Sequence, residues 1–318
     1  MIKTILICGG ILIATVPVLG FDPPTPVQRV NALGPIDGLP MVLQRAFALD
    51  LDFAPIPNPG RDDWLTAHPE PGQSFDQFRR AQPNRPDQKR RIIYLQPLGI
   101  FPEKQSPSTE MLRQYAGSFF QMDVKVLPHT GIEAGDFTRR TNRFTSRPQI
   151  LTSDVLRWLQ RRLPEDAFCL LGITMEDLYP EPSWNFVFGQ ASLRERVGVY
   201  SFARYDPVFY GETRRKDYET LLLRRSAKVL THETAHMFAL THCIYFQCVM
   251  NGSNHLQESD GRPMHLCPVC LRKLQWSVGF DVVKHYEELN RFCQHAGFKD
   301  EALWIVRRLK KIREDISK

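Results

Sequence analysis

The sequence predicts an α/β fold in which strands of a mixed sheet alternate with helices and lead into one long helix that carries the chemistry. Three observations predict it: apolar runs alternating with helical periodicity from Ile92 onward, an H-E-x-x-H segment at His232–His236 inside a helical pattern, and a quartet of cysteines directly after it. Each element can be justified in order.

Ile92 to Leu98 reads as a buried strand, Ser108 can cap a helix over Met111 to Phe120, and Val124 to Leu127 gives a second strand. Thr152 or Ser153 starts a helix through Leu163, and Ala167 to Thr174 is a third strand. Phe186 to Phe188 and Val197 to Phe202 suggest two more, the former an edge along which an extended peptide could pair. The long helix spans about Tyr218 to Phe238, with Leu221, Leu222, Ala227, Val229 and Leu230 as its apolar cover. Amphipathic helices over Asp281 to Phe292 and Glu301 to Ile312 close the chain, with Trp304, Val306 and Leu309 as packing residues.

Upstream, Phe21 to Arg90 is punctuated by prolines and cannot form long helices. It wraps the domain, links it to an export signal, or shields a cleft as a propeptide would; lacking cysteine, it excludes inhibition by a cysteine switch. Met1-Ile2-Lys3 precedes an apolar stretch from Thr4 to Leu19, short for a membrane span and broken by Gly9, Gly10 and Pro17. That favours a signal peptide with Phe21 as the mature N-terminus, or an uncleaved anchor; a cytoplasmic location is the alternative. The expected division is therefore a leader over 1–20, a proline-rich extension over 21–90, and a catalytic domain over 91–318, with an upper part 91–242 and a lower part 243–318.

A chain of 318 residues with 42% hydrophobic content can bury one substantial core plus extensions. The net charge of +6 is mild, and the basic runs at Lys89-Arg90-Arg91, Arg214-Arg215-Lys216 and Arg307-Arg308-Leu309-Lys310-Lys311 read as solvated faces. Glu258 and Asp260, rather than interleaved basic and aromatic residues, lie between the cysteine pairs. Nucleic acid is thus not an expected partner, and a monomer acting on a peptide or protein substrate is.

The chemistry concentrates at residues 232–270. On a helix, His232 and His236 lie four residues apart and about 40° from eclipsed, so both rings can reach one zinc ion about 2 Å away. Glu233 then falls beside the ion, placed to act as general base toward a water whose pKa the metal lowers to roughly 7. His242 is the third candidate ligand, and the chain must turn sharply after His236 to bring it in. Two histidines merely exposed on a helix are the bland alternative. Cys243-x4-Cys248 and Cys267-x2-Cys270 form two closely spaced pairs, as a four-cysteine structural zinc site requires. Two disulfides are the competing pairing.

These residues, in this order, resemble the archaemetzincins, whose signature runs an H-E-x-x-H-x-x-G-x-x-H site directly into a cysteine quartet with an intervening methionine. Segments Ile93-Tyr94-Leu95-Gln96-Pro97-Leu98-Gly99, Gly172 to Tyr179, Gly198 to Arg204 and Leu271 to Gln275 extend the likeness over roughly residues 90–285. Asp63-Trp64, His68-Pro69-Glu70 and Gln73-Ser74-Phe75 resemble the region upstream of the domain in longer members.

The resemblance implies a metzincin-like zincin with a mixed twisted sheet, an active-site helix and a small C-terminal subdomain holding the cysteine site. It implies two zinc ions, one catalytic at His232, His236 and His242 with Glu233 as base, one structural at Cys243, Cys248, Cys267 and Cys270. Met250 would be the Met-turn residue, where a core methionine is the plainer reading. The implied activity is zinc-dependent peptide hydrolysis of aminopeptidase type on short substrates, with a catalytically weak zinc-stabilised binding protein as the rival. One position departs from the signature: Ala239 stands where glycine ends the helix in a left-handed residue. The same backbone is expected, at a cost of about 1–2 kcal/mol.

Overall fold

A computed structural model describes residues 5–7 and 20–314. The proposed leader lies, apart from Ile5–Ile7, outside the described residues. Among the described residues no helix is long and apolar enough to cross a membrane. The chain divides into two compact units, one built mainly from Arg85–Gly117 and Met122–Phe238, the other from residues 20–84, Ser118–Gln121 and residues 239–314.

The first unit is a mixed sheet with helices. Its strands are β1 (Ile5–Ile7), β2 (Ile92–Leu98), β3 (Asp123–Val126), β6 (Ala167–Thr174), β8 (Gly189–Ser192) and β9 (Val197–Ser201), laid side by side as β1-β8-β9-β6-β2-β3. β2 runs parallel to both β3 and β6, β6 parallel to β9, and β8 antiparallel to β9. All eight residues of β6 are buried, the signature of a central parallel strand covered on both faces. A smaller sheet of β4 (Arg139–Thr141), β5 (Pro148–Leu151) and β7 (Asp177–Tyr179) adjoins it.

Helix α6 (Thr152–Gln160) packs on β6 and β9, where Val155, Trp158 and Leu159 meet Leu170, Val197 and Val199 in one apolar cluster. Each such aliphatic side chain contributes about 1.5–3 kcal/mol by leaving water. Helix α5 (Thr109–Phe120) follows β2, its start bonded by the Ser108 hydroxyl to Met111 N. The long helix α7 (Tyr218–Met237) packs against β6, β8 and β9 and is buried all round from Ser226 to Met237. Two hydroxyls inside it stay satisfied, Thr231 donating to Ala227 O and Thr234 to Leu230 O.

One strand differs from expectation. Phe186 to Phe188 makes no ladder, only an isolated bridge from Val187 to Leu178, and the antiparallel neighbour of β9 is Gly189–Ser192. The rings explain it: Phe186 lies under the Arg204 guanidinium at 3.6 Å and Phe188 stacks on Tyr205. Aromatic packing holds those residues, while pairing with β9 places a Gly-Gln-Ala-Ser segment of low strand propensity.

The second unit joins the proline-rich extension to the C-terminal helices. The extension forms only short helices, α1 (Pro26–Leu33), α2 (Met41–Ala46), α3 (Trp64–Ala67) and α4 (Phe75–Arg80), of which α1 and α4 begin in capping boxes at Thr25 and Ser74. After residue 239 come α8 (Leu256–Asp260), α9 (Pro268–Val278), α10 (Val282–His295) and α11 (Lys299–Arg313). Helix α9 has no counterpart among the expected elements, because Cys267 to Cys270 reads first as a metal knuckle.

The basic run in α11 is not uniformly solvated. Arg308 is fully buried, its guanidinium donating to Asp50 at 2.5 Å and to the carbonyls of Arg45 and Ala46. Trp304 donates to Asp52 O and stacks on His265, whose Nδ1 bonds Glu301. Those contacts knit α11 to the extension.

Candidate metal centre

The segment His232–His242 is one short stretch of chain, and its local path decides the site. His232 and His236 sit one turn apart on α7, ring planes nearly perpendicular, with their Nε2 atoms 3.0 Å apart. Two nitrogens on one tetrahedral zinc at 2.0–2.1 Å lie about 3.3 Å apart, so the pair is close to the spacing for a single ion. Phe238 closes the helix, and Ala239 takes φ +63°, the left-handed turn the signature's glycine would supply. That turn brings in His242. All three imidazoles are buried, and their ligand nitrogens lie within 4.8 Å of one another.

Gln73 holds the turn in place, its amide donating to Ala239 O at 3.2 Å and its carbonyl accepting from Thr241 N at 3.4 Å. Lys273, buried on α9, in turn donates to Gln73. Ala239→Gly should relieve the left-handed strain and stabilise the fold by about 1 kcal/mol, since the strain removed outweighs the added freedom of the unfolded chain. Denaturant unfolding checks this; a less stable glycine variant would show that residue 239 carries no strain.

Glu233 is buried and lies outside the three-nitrogen cluster. Burial pushes its carboxyl up to about 8. Space for it comes from Gly189 on β8, where a Cβ would meet the Glu233 carboxylate at 3.0 Å and Tyr200 Cβ at 2.8 Å. No larger residue fits there without moving the carboxylate.

The four cysteines Cys243, Cys248, Cys267 and Cys270 converge with ligand sulfurs within 4.8 Å, all buried and none in a disulfide. The Cys243 and Cys267 sulfurs are 3.5 Å apart, against about 3.8 Å for two thiolates on a tetrahedral zinc with bonds of about 2.3 Å. Main-chain amides of Met250 and Cys267 point at the Cys248 sulfur. Burial raises the Cys243 thiol, but hydrogen bonds from Cys248, Cys267 and Cys270 outweigh it and hold the group well below the usual thiol range. Soft, convergent sulfur donors fit zinc.

Met250 is fully buried in the turn after Cys248, and its carbonyl accepts from Cys243 N, next to His242. Asn251 gives this loop its shape: its amide donates to the carbonyls of Cys243 and Phe246 and its carbonyl accepts from Cys248 N. Nothing in the spacing of histidines and cysteines singles out Asn251, Glu70 or Gln73; only the upstream resemblance touched the last two.

Other buried or partly buried acidic and histidine side chains have partners of their own. Asp177 forms a buried bidentate pair with Arg204 at 2.7 and 2.8 Å and also accepts from Gln149. Glu258 accepts from Trp64 N, Asn254 N and Arg262, while His255 pairs with Asp63 and accepts from Glu258 N. Asp63, His255 and Glu258 thus form a structural knot. Glu176 is half-buried against a 380 Å³ cavity lined also by Gln105, Arg147, Asp206 and Arg214, and burial raises its carboxyl.

Comparison with known proteins gives this chemistry a class. The sequence model of Peptidase family M54 matches residues 127–276, and the chain is a zinc metallopeptidase. Archaemetzincin-2 of Macaca fascicularis is 43% identical over 268 residues, covering 76% of this chain and 74% of that protein. Archaemetzincin-2 of Homo sapiens is 41% identical over 295 residues, covering 83% and 80%. The chain belongs to the archaemetzincin family. The crystal structure of an archaemetzincin from Methanopyrus kandleri matches with a TM-score of 0.46 at 30% identity, over 60% of this chain and 97% of that one.

Proposed function

We propose that the chain hydrolyses peptide bonds at the His232, His236 and His242 centre, with Glu233 carrying the protons and short peptides shortened from their amino ends. The observation that carries the reading is a buried carboxyl beside three convergent imidazoles but outside their ligand cluster. When bound, zinc supplies Lewis acidity toward the scissile carbonyl and lowers the pKa of water toward 7. Glu233 accepts the proton of the attacking water and passes it to the leaving nitrogen, moving one proton across the scissile bond without net change in the protein. The hollow beside Gly189 keeps that carboxylate at one position, and burial keeps bulk water from competing for it.

We also infer two zinc ions per chain, the second held by Cys243, Cys248, Cys267 and Cys270 as a structural ion. The aminopeptidase subclass rests on the family resemblance. Of the acidic residues that would hold a free amino group, Asp177 and Glu258 are engaged by arginines, whereas Glu176 is half-buried against the 380 Å³ cavity.

A library of peptides with free and acetylated amino ends, digested by the zinc-loaded protein and read by mass spectrometry, tests the reading. Stepwise loss of amino-terminal residues from the free set alone, abolished by chelation and restored by zinc, is expected. Equal internal cleavage of the acetylated set would replace the aminopeptidase reading with an endopeptidase one. No hydrolysis with both sites loaded would leave a zinc-stabilised binding protein.

A further inference from the structure

Most of the chemistry lies in residues 232–270, yet one contact to His242 comes from far upstream. Glu70 Oε1 accepts from His242 Nδ1 at 2.8 Å, and the same oxygen accepts from Trp64 Nε1 at 2.7 Å. Trp64 stands edge-on to the His242 ring at 5.1 Å and is itself fixed by Glu258, which accepts from its main-chain N, and by the His68 ring, tilted against it at 4.1 Å. Gly72, at φ +69°, turns the chain between Glu70 and Gln73 where a Cβ would come within 2.6 Å of Ile244. Glu70 therefore meets the His242 ring while Gln73 meets the backbone one and three residues before it.

We infer that Glu70 is a positioning residue for the metal centre, and that residues 63–77 of the proline-rich extension are a permanent part of that centre, not a removable shield. The inference rests on His242 being a metal ligand. A carboxylate on Nδ1 fixes the tautomer with its proton there and leaves Nε2 bare to bind the ion. The Glu70 carboxylate and the edge-on Trp64 indole, itself bonded to the same oxygen, hold the ring's orientation. His232 and His236 are oriented by their helix; His242 sits after a left-handed turn and needs this outside support.

The test measures zinc affinity at the histidine site by chelator competition, with nitrogen chemical shifts of 15N-histidine-labelled protein reporting the His242 tautomer. Glu70→Ala should weaken zinc by about 10–100-fold and release the Nδ1-protonated tautomer. Glu70→Gln, which keeps a neutral acceptor, should fall between the wild type and alanine. His242→Ala is measured beside them. If it leaves affinity unchanged, the histidine-centre reading itself fails. If it weakens zinc while Glu70→Ala changes neither affinity nor tautomer, only the role of Glu70 is overturned. Trp64→Phe keeps the ring but removes the donor to Glu70, and guards against a fold effect: a well-folded variant with a smaller loss than Glu70→Ala is expected, and no loss in any of the three extension variants would sink the inference.

Discussion

Glu233→Gln is expected to lower kcat by about 10²–10⁴-fold while zinc content stays that of the parent. The amide has the size of the carboxyl it replaces, so the hollow beside Gly189 still accommodates it and the imidazoles keep their places. What it cannot do is take a proton. The fold should not suffer, because the site is buried and a neutral amide of the same shape costs less there than a charged group. Steady-state turnover of a short peptide, with zinc measured on the same samples, reads the outcome; unchanged turnover would take Glu233 out of the mechanism.

The second large effect is expected at the cysteine quartet. Cys270→Ser should remove one zinc ion per chain and abolish the cooperative unfolding of the unit built from residues 20–84 and 239–314. Structural zinc in small cysteine sites contributes on the order of 10–16 kcal/mol of binding free energy that is also folding free energy. Here the sulfurs tie the 243–251 loop to the start of α9, which carries Lys273 and, through it, Gln73. Losing the ion should therefore loosen the turn at Ala239 as well. Calorimetry with metal analysis checks this, and adding a thiol reductant to the parent separates zinc from disulfides: a transition unmoved by reductant but lost to a chelator is expected. Parent-like zinc content and unfolding in the serine variant would refute the structural ion.

Much of this was legible in residues because spacing translates directly into geometry. Four residues on a helix place His232 and His236 on one face, and β2 and β6 coincide with the expected strands at both ends because uninterrupted apolar runs leave a buried parallel strand no other role. The return of His242 requires a sharp turn after His236, and the glycine of the resembled signature placed its left-handed residue at Ala239. The antiparallel neighbour of β9 was not legible: Phe186 and Phe188 carry the propensity, but a cation and a ring claim them, and a glycine-led segment pairs instead. Arg308 misled for a related reason. A long basic side chain in a charged run reads as solvated, and only the carbonyls of Arg45 and Ala46 with Asp50, more than 250 positions away, make its burial tolerable. Glu70, Gln73 and Asn251 act through partners distant in the chain or through main-chain groups, which no local pattern encodes.

The burial of Arg308 bears on how its unit folds. Its partners Arg45, Ala46 and Asp50 stand more than 250 positions earlier in the chain, so their meeting closes a very long loop. Closing such a loop costs entropy before any contact repays it, and contacts of large sequence separation form slowly. This unit is therefore expected to consolidate late, after elements whose neighbours in space are also neighbours in the chain.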